Sequence, residues 1–105
     1  MDKVIEAFNR GYVVSLEGKA YNKNGKEVGF LTKTPDEYES YKICIKINKK
    51  PASIAVHRLQ AFQKYGYKMF EKGVLVRHFD GDSLNNSWEN ILIGTDSDNK
   101  MDVPE

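Results

Sequence analysis

The chain has 105 residues, which bounds it to one domain, or one main domain with a small appendage. Hydrophobic residues at 40% and charged residues at 30% fit an ordinary globular protein, and no apolar run approaches the roughly 20 residues of a membrane span. The net charge of +1 hides an uneven distribution: residues 1–79 hold fifteen Lys and Arg against eight Asp and Glu, whereas residues 80–105 hold one Lys against seven acids.

The N-terminus, Met1-Asp2-Lys3-Val4-Ile5-Glu6, lacks the charged-then-apolar layout of a signal peptide. Tyr12 to Leu16 reads as a strand, Glu17-Gly18 as its turn, and Lys19 to Asn22 as a short return strand. Asn24-Gly25 is a strong hairpin signal, and Val28 to Thr32 is a further strand candidate. Thr34-Pro35-Asp36-Glu37 is loop, since Pro35 is incompatible with a central strand. From Tyr41 to Asn48 the residues alternate, with Tyr41, Ile43, Ile45 and Ile47 on one face and Lys42, Cys44, Lys46 and Asn48 on the other. Cys44 is the only cysteine, which excludes an internal disulfide and any cysteine-based zinc site. It is expected to be a buried small hydrophobe in a protein of the reducing cytoplasm.

Lys49-Lys50-Pro51 forms a basic turn, and Ala52 to Val56 is a fourth strand. The spacing turns helical from His57 to Tyr65, with Leu59 and Phe62 on one face and Gly66 as the stop. Val74 to Phe79 is the strand that carries His78, and an Asp/Gly/Asn-rich loop follows it. Asn90 opens the apolar run Ile91-Leu92-Ile93. A short last helix is expected beyond Thr95 or Asp96, either of which can serve as its N-cap. The fold class is therefore α+β: a small antiparallel sheet and helix over residues 1–70, then strand–loop–strand–helix over residues 71–105.

The chemistry concentrates in three residues. His78 offers an imidazole, whose ordinary pKa of about 6.5 suits a base near neutral pH. Asn90, twelve positions later, offers an amide to orient that ring. Asn99, twenty-one positions after His78, offers a hard oxygen donor of the kind Mg²⁺ prefers. A strand, a long turn, a strand and a helix can bring the three together. Asn85 and Asn86 read as residues that stabilise the loop backbone, and Trp88 as an anchoring hydrophobe.

Val56-His57-Arg58-Leu59, His78-Phe79-Asp80-Gly81, Asn85-Asn86, Glu89-Asn90-Ile91, Gly94-Thr95 and Asn99 together resemble the HNH endonucleases. The similarity is to the compact phage and intron-encoded homing type whose third signature residue is Asn. It is dense from Val56 to Asp102 and diffuse before that, and implies a ββα-metal motif on the C-terminal half. It also implies that His78 activates water against a phosphodiester of double-stranded DNA and that Asn90 ties the two strands and holds loop and ring. Asn99 would ligate a single divalent ion, Mg²⁺ or Mn²⁺. A site of this kind cuts one strand, so nicking is expected unless two copies assemble; the residues do not decide between monomer and homodimer. His57 is expected to be structural.

Arg77 departs from the pattern, since intron-encoded members often carry there an Asp that shares the metal. Two readings stay open. The metal is held by Asn99, water, phosphate and a nearby acid such as Asp98 or Asp102, or Arg77 grips phosphate in a DNA-binding protein that does not cut. Phosphate contacts are assigned to Arg77, Arg58, Lys64 and Lys68 and to Lys46, Lys49 and Lys50 around the basic turn. Family members often continue into separate DNA-recognition elements, so a chain with little after Asp102 is expected to be a minimal member or a piece of a longer one.

Overall fold

In a computed structural model of the chain, residues 2–95 are described. They form a helix α1 (Lys3–Asn9), strands β1 (Val13–Val14) and β2 (Ala20–Tyr21), and strands β3 (Phe30–Lys33), β4 (Glu39–Ile47) and β5 (Lys50–Ala55). Helix α2 (Val56–Tyr65), a 3-10 segment (Gly66–Phe70), β6 (Val74–His78) and β7 (Ile91–Thr95) complete the order. The fold is α+β, with three separate antiparallel sheets ordered β1-β2, β3-β4-β5 and β6-β7. The expected single N-terminal sheet is thus divided into a two-stranded ribbon and a three-stranded meander. The expected last helix, with Asn99, falls outside the described residues.

Strand β4 follows its sequence alternation. Ile43 and Ile45 are buried while Cys44 and Lys46 face out, and Ile43 pairs with Ile54 of β5. Cys44 is exposed, which corrects the expectation that it is buried. Its position between Lys42 and Lys46 puts it on the polar face, and strand alternation outweighs the general tendency of cysteine to hide. The β4–β5 turn is made by Asn48 and Lys49 with φ of 53° and 69°. Two consecutive left-handed residues give the primed turn that matches strand twist. Pro51 is tolerated because β5 is an edge strand.

Helix α1 was not legible as a separate element. The side chain of Asp2 accepts from the Val4 amide at 2.8 Å and caps it, and Val4 and Ala7 are buried. Phe8 meets Phe62 of α2 edge-to-face, with ring centroids 5.1 Å apart. The core gathers Val4, Ala7, Ile43, Ile45 and Ile54 around Val56, Leu59, Ala61 and Phe62 of α2. Ile91, 0% exposed, joins β7 to the same core, so the C-terminal hairpin is seated on α2.

Strand β1 is shorter than its apolar run suggests, because side-chain amides of α2 replace a strand partner. Gln63 accepts from the Val14 amide at 2.7 Å and donates to the Val14 carbonyl at 2.9 Å. The turn after β1 then presses on the loop between β6 and β7. Gly18, at φ +97°, lies where a Cβ would stand 2.6 Å from the Asn86 carbonyl carbon and 2.7 Å from the Ser87 nitrogen. Only glycine fits both the backbone angle and the space.

Candidate active site

His78 ends β6, in register with Ile91 on β7, and residues 79–90 form the loop that joins them. Asn90 closes this loop. Its carbonyl accepts from the Phe79 amide at 2.8 Å and its side-chain oxygen from the Asp80 amide at 3.0 Å. Its side-chain nitrogen donates to Asp80 Oδ1 at 2.9 Å and to the Asn85 carbonyl at 2.8 Å. Asp80 is the hub on the other side, since it also accepts from the Asp82 amide at 2.8 Å and from Asn85 at 2.9 Å. These bonds, the Asn85 side chain first, hold the Asp80 carboxyl below its ordinary pKa. It is ionised and fully committed as a loop organiser, although exposed.

The amide on the imidazole belongs to a different residue. Asn86 Oδ1 lies 2.9 Å from His78 Nε2. Asn90 therefore ties the loop, as the sequence suggested, but the ring-orienting contact assigned to it is made by Asn86. Asn86 is 1% exposed, and its Nδ2 has no hydrogen-bond partner among the described residues. Behind it stands Gln60, 0% exposed, whose Nε2 donates to the Ser15 carbonyl at 2.8 Å and the Asn86 carbonyl at 3.0 Å. The Gln60 side-chain oxygen accepts from Gln63 at 2.9 Å. A run of Val56, Leu59, Gln60 and Gln63 at helical spacing would have flagged two amides on an inward face. Nothing in the sequence separates Asn86 from its Asn-rich neighbours.

His57, expected to be structural, packs edge-to-face on His78 with ring centroids 5.2 Å apart. Burial pushes its pKa down from 6.5 to about 4, helped by the positive charge of His78, Arg58 and Lys42. His57 is therefore neutral at pH 7. The unfolded chain takes up this proton near 6.5 and the folded chain only near 4, so acid favours unfolding. Stability present at neutral pH is lost as pH falls through this window, by about 2 kcal/mol between pH 7 and pH 5. Urea midpoints measured at the two pH values should show this loss in the wild type, and a clearly smaller one in His57→Gln.

The assigned phosphate contacts fall into two groups. Lys46, Lys49 and Lys50 are exposed around the β4–β5 turn, and Lys68 is exposed on the 3-10 segment. Lys64 is turned inward: its ammonium donates to the carbonyls of Trp88 at 2.6 Å and Ile91 at 3.2 Å and lies over the Trp88 ring. It braces the exit of the loop. Arg58 lies 3.8 Å from Asp2 and above Phe70, and Arg77 is half-buried opposite Leu92. Trp88 anchors the loop, its amide donating to the Leu16 carbonyl at 2.9 Å.

The described residues do not by themselves fit a divalent ion. Among them no three His, Cys, Asp or Glu side chains converge as metal ligands, and Arg77 places a cation next to His78 in the chain. Asn99, the expected ligand, lies outside them. No helix among the described residues is long and apolar enough to cross a membrane.

The sequence profile described as HNH endonuclease matches residues 55–101, which includes His57, the whole β6–loop–β7 hairpin and Asn99. A solved structure, "DNA binding and cleavage by the HNH homing endonuclease I-HmuI", is similar to the chain with a TM-score of 0.64 and 32% sequence identity. The match covers 86% of this chain and 49% of that one, so the chain spans about half the length of the protein it resembles. No curated protein matches it.

Proposed function

The chain belongs to the HNH endonuclease superfamily, and from that premise we propose that it binds double-stranded DNA and hydrolyses a phosphodiester, with His78 as the general base. The observation that carries this reading is the placement of the His78 ring at the end of β6, with Nε2 held by Asn86. Nδ1 is then the nitrogen left to take a proton from water as the water oxygen attacks phosphorus and the 3′ oxygen leaves. Asn90 serves this chemistry by fixing the loop in which the ring is set. A divalent cation, Mg²⁺ or Mn²⁺, would neutralise charge on the scissile phosphate, and Asn99 is the residue proposed to hold it.

The basic residues of the first 79 positions supply the DNA contact, with Lys46, Lys49, Lys50 and Lys68 as its exposed members. With one such site per chain, the expected product is a nick. Arg77 and the lack of a converging acidic set among the described residues favour a second reading, a DNA-binding regulator without cleavage.

Supercoiled plasmid separates the two. The nuclease reading expects conversion to the open-circular form with Mg²⁺ or Mn²⁺ and none with chelator. A gel shift that weakens steeply with salt, with no nicking under any divalent ion, leaves the binding reading. Absence of both ends the proposal.

A further inference from the structure

We propose that Asn86 is the positioning residue that selects Nδ1 of His78 as the base, and that Gln60 holds the Asn86 backbone in place for it. The role assigned to His78 rests on the function proposed above; the tautomer and its cause do not.

An imidazole base has two nitrogens, and the partner of one decides which tautomer the neutral ring adopts. Asn86 Oδ1, 2.9 Å from Nε2, can only accept. It therefore requires a proton on Nε2 and leaves the Nδ1 lone pair free. The same oxygen serves the ring after a proton has arrived at Nδ1, because Nε2–H is present in both forms. The ring can thus cycle without any movement of its partner. An amide turned over would place an N–H on the Nε2 lone pair, put the proton on Nδ1 and switch the base off. Asn86 Nδ2 has no partner among the described residues, so the tautomer of His78 reports the orientation of the amide directly.

The reach of Asn86 depends on its backbone, which is clamped on two sides. Gln60 donates to the Asn86 carbonyl from the core, and Gly18 closes on the Asn86–Ser87 peptide from the β1–β2 turn, with no room even for a methyl group. Beyond it, the Ser87 carbonyl accepts from the amides of Asn90 at 3.0 Å and Ile91 at 3.2 Å. Asn85, one residue earlier, spends its side chain on Asp80 and on the Ser87 amide and does not meet the ring. The two adjacent asparagines therefore do different jobs: Asn85 builds the loop, and Asn86 sets the base.

The chain has two histidines, so nitrogen NMR of the imidazole rings reads the tautomers directly. Wild-type His78 is expected in the Nε2–H form when neutral. In Asn86→Ala the ring should relax to a mixture of tautomers. Asn86→Asp, whose carboxylate also accepts from Nε2–H, should restore the wild-type form and raise the pH at which His78 titrates. The other titratable neighbours of the ring among the described residues, His57 and Asp80, are unchanged in both variants. In cleavage, Asn86→Ala should lower kcat by about 10–100-fold with DNA affinity unchanged, and Asn86→Asp should recover part of it with a shifted pH profile.

An Nδ1–H tautomer in the wild-type protein overturns the proposal, and that measurement needs no variant to fold. So does an unchanged tautomer in a folded Asn86→Ala. A tautomer that depends on Asn86 in a protein that never nicks DNA upholds the positioning role and removes the nuclease reading instead.

Discussion

Replacement of His78 by alanine is expected to cut the rate of phosphodiester cleavage by about 10²–10⁴-fold, the usual contribution of a positioned general base. The physical reason is local. The imidazole has one nitrogen engaged, with Asn86, and no hydrogen bond to the other among the described residues. Its neighbours in the loop are already committed: Asp80 to Asn85, Asp82 and Asn90, and Asn90 to Asp80 and Asn85. Neither can take over a proton transfer without dismantling the loop. His57 beside His78 is a much weaker base, its pKa pushed down to about 4. DNA affinity and its salt dependence should stay within about twofold of wild type, because phosphate contacts set those quantities. Single-turnover cleavage of labelled duplex, beside a gel shift across a salt series, reads both. A variant that cleaves at the wild-type rate excludes His78 as the base. A variant that loses binding as well assigns the residue to the fold or to DNA contact rather than to the chemistry.

The sequence made the β4 pattern, the strand-to-helix junction at Val56 and the His78 strand legible, because each is a local periodicity with a clear period of two or a change to helical spacing. Ile43, Ile45 and Ile47 alternate over a strand long enough to leave no other reading. Helix α1 escaped because seven residues carry only two buried positions, Val4 and Ala7, and its stability comes from packing on α2 rather than from its own pattern. Cys44 sits on the lysine face of β4, where strand alternation outweighs residue type. The site divides in the same way. His78 and Asn90 stand out by spacing and by resemblance, and the loop closure of Asn90 follows from its position at the strand boundary. Which asparagine reaches the ring depends on the path of the loop in three dimensions. That path is set by contacts from Gly18 and Gln60, which lie 68 and 26 positions before Asn86 in the chain. No local pattern carries that information.

Gln60 is where this long-range fixing can be tested most sharply. Gln60→Leu keeps the volume of the side chain and its place on the buried face of α2, but removes both donors of the amide. The carbonyls of Ser15 and Asn86 then lose their partner in a site with no exposure to water. Gln63 loses its bond to the Gln60 oxygen but keeps its paired bonds to Val14, so the ribbon stays attached. A buried acceptor left unmade costs about 1–3 kcal/mol, so destabilisation of about 2–4 kcal/mol is expected after the gain from an apolar side chain. Gln60→Glu should be worse at pH 7, because an ionised carboxylate would face two carbonyl oxygens in the core. Burial raises the folded-state pKa of such a carboxyl. The protonated form, stable below the ordinary carboxylate range, should therefore regain part of the stability in acid and lose it as pH rises. Urea unfolding of both variants at pH 7 and pH 5 measures the difference. If Gln60→Leu unfolds at the wild-type midpoint, the amide is not what joins the β1–β2 ribbon to the 79–90 loop. If Gln60→Glu tracks Gln60→Leu at both pH values, the site is wetter than its burial implies. A folded Gln60→Leu that keeps its midpoint shift but leaves the His78 tautomer untouched would separate the stability of the loop from the aim of Asn86.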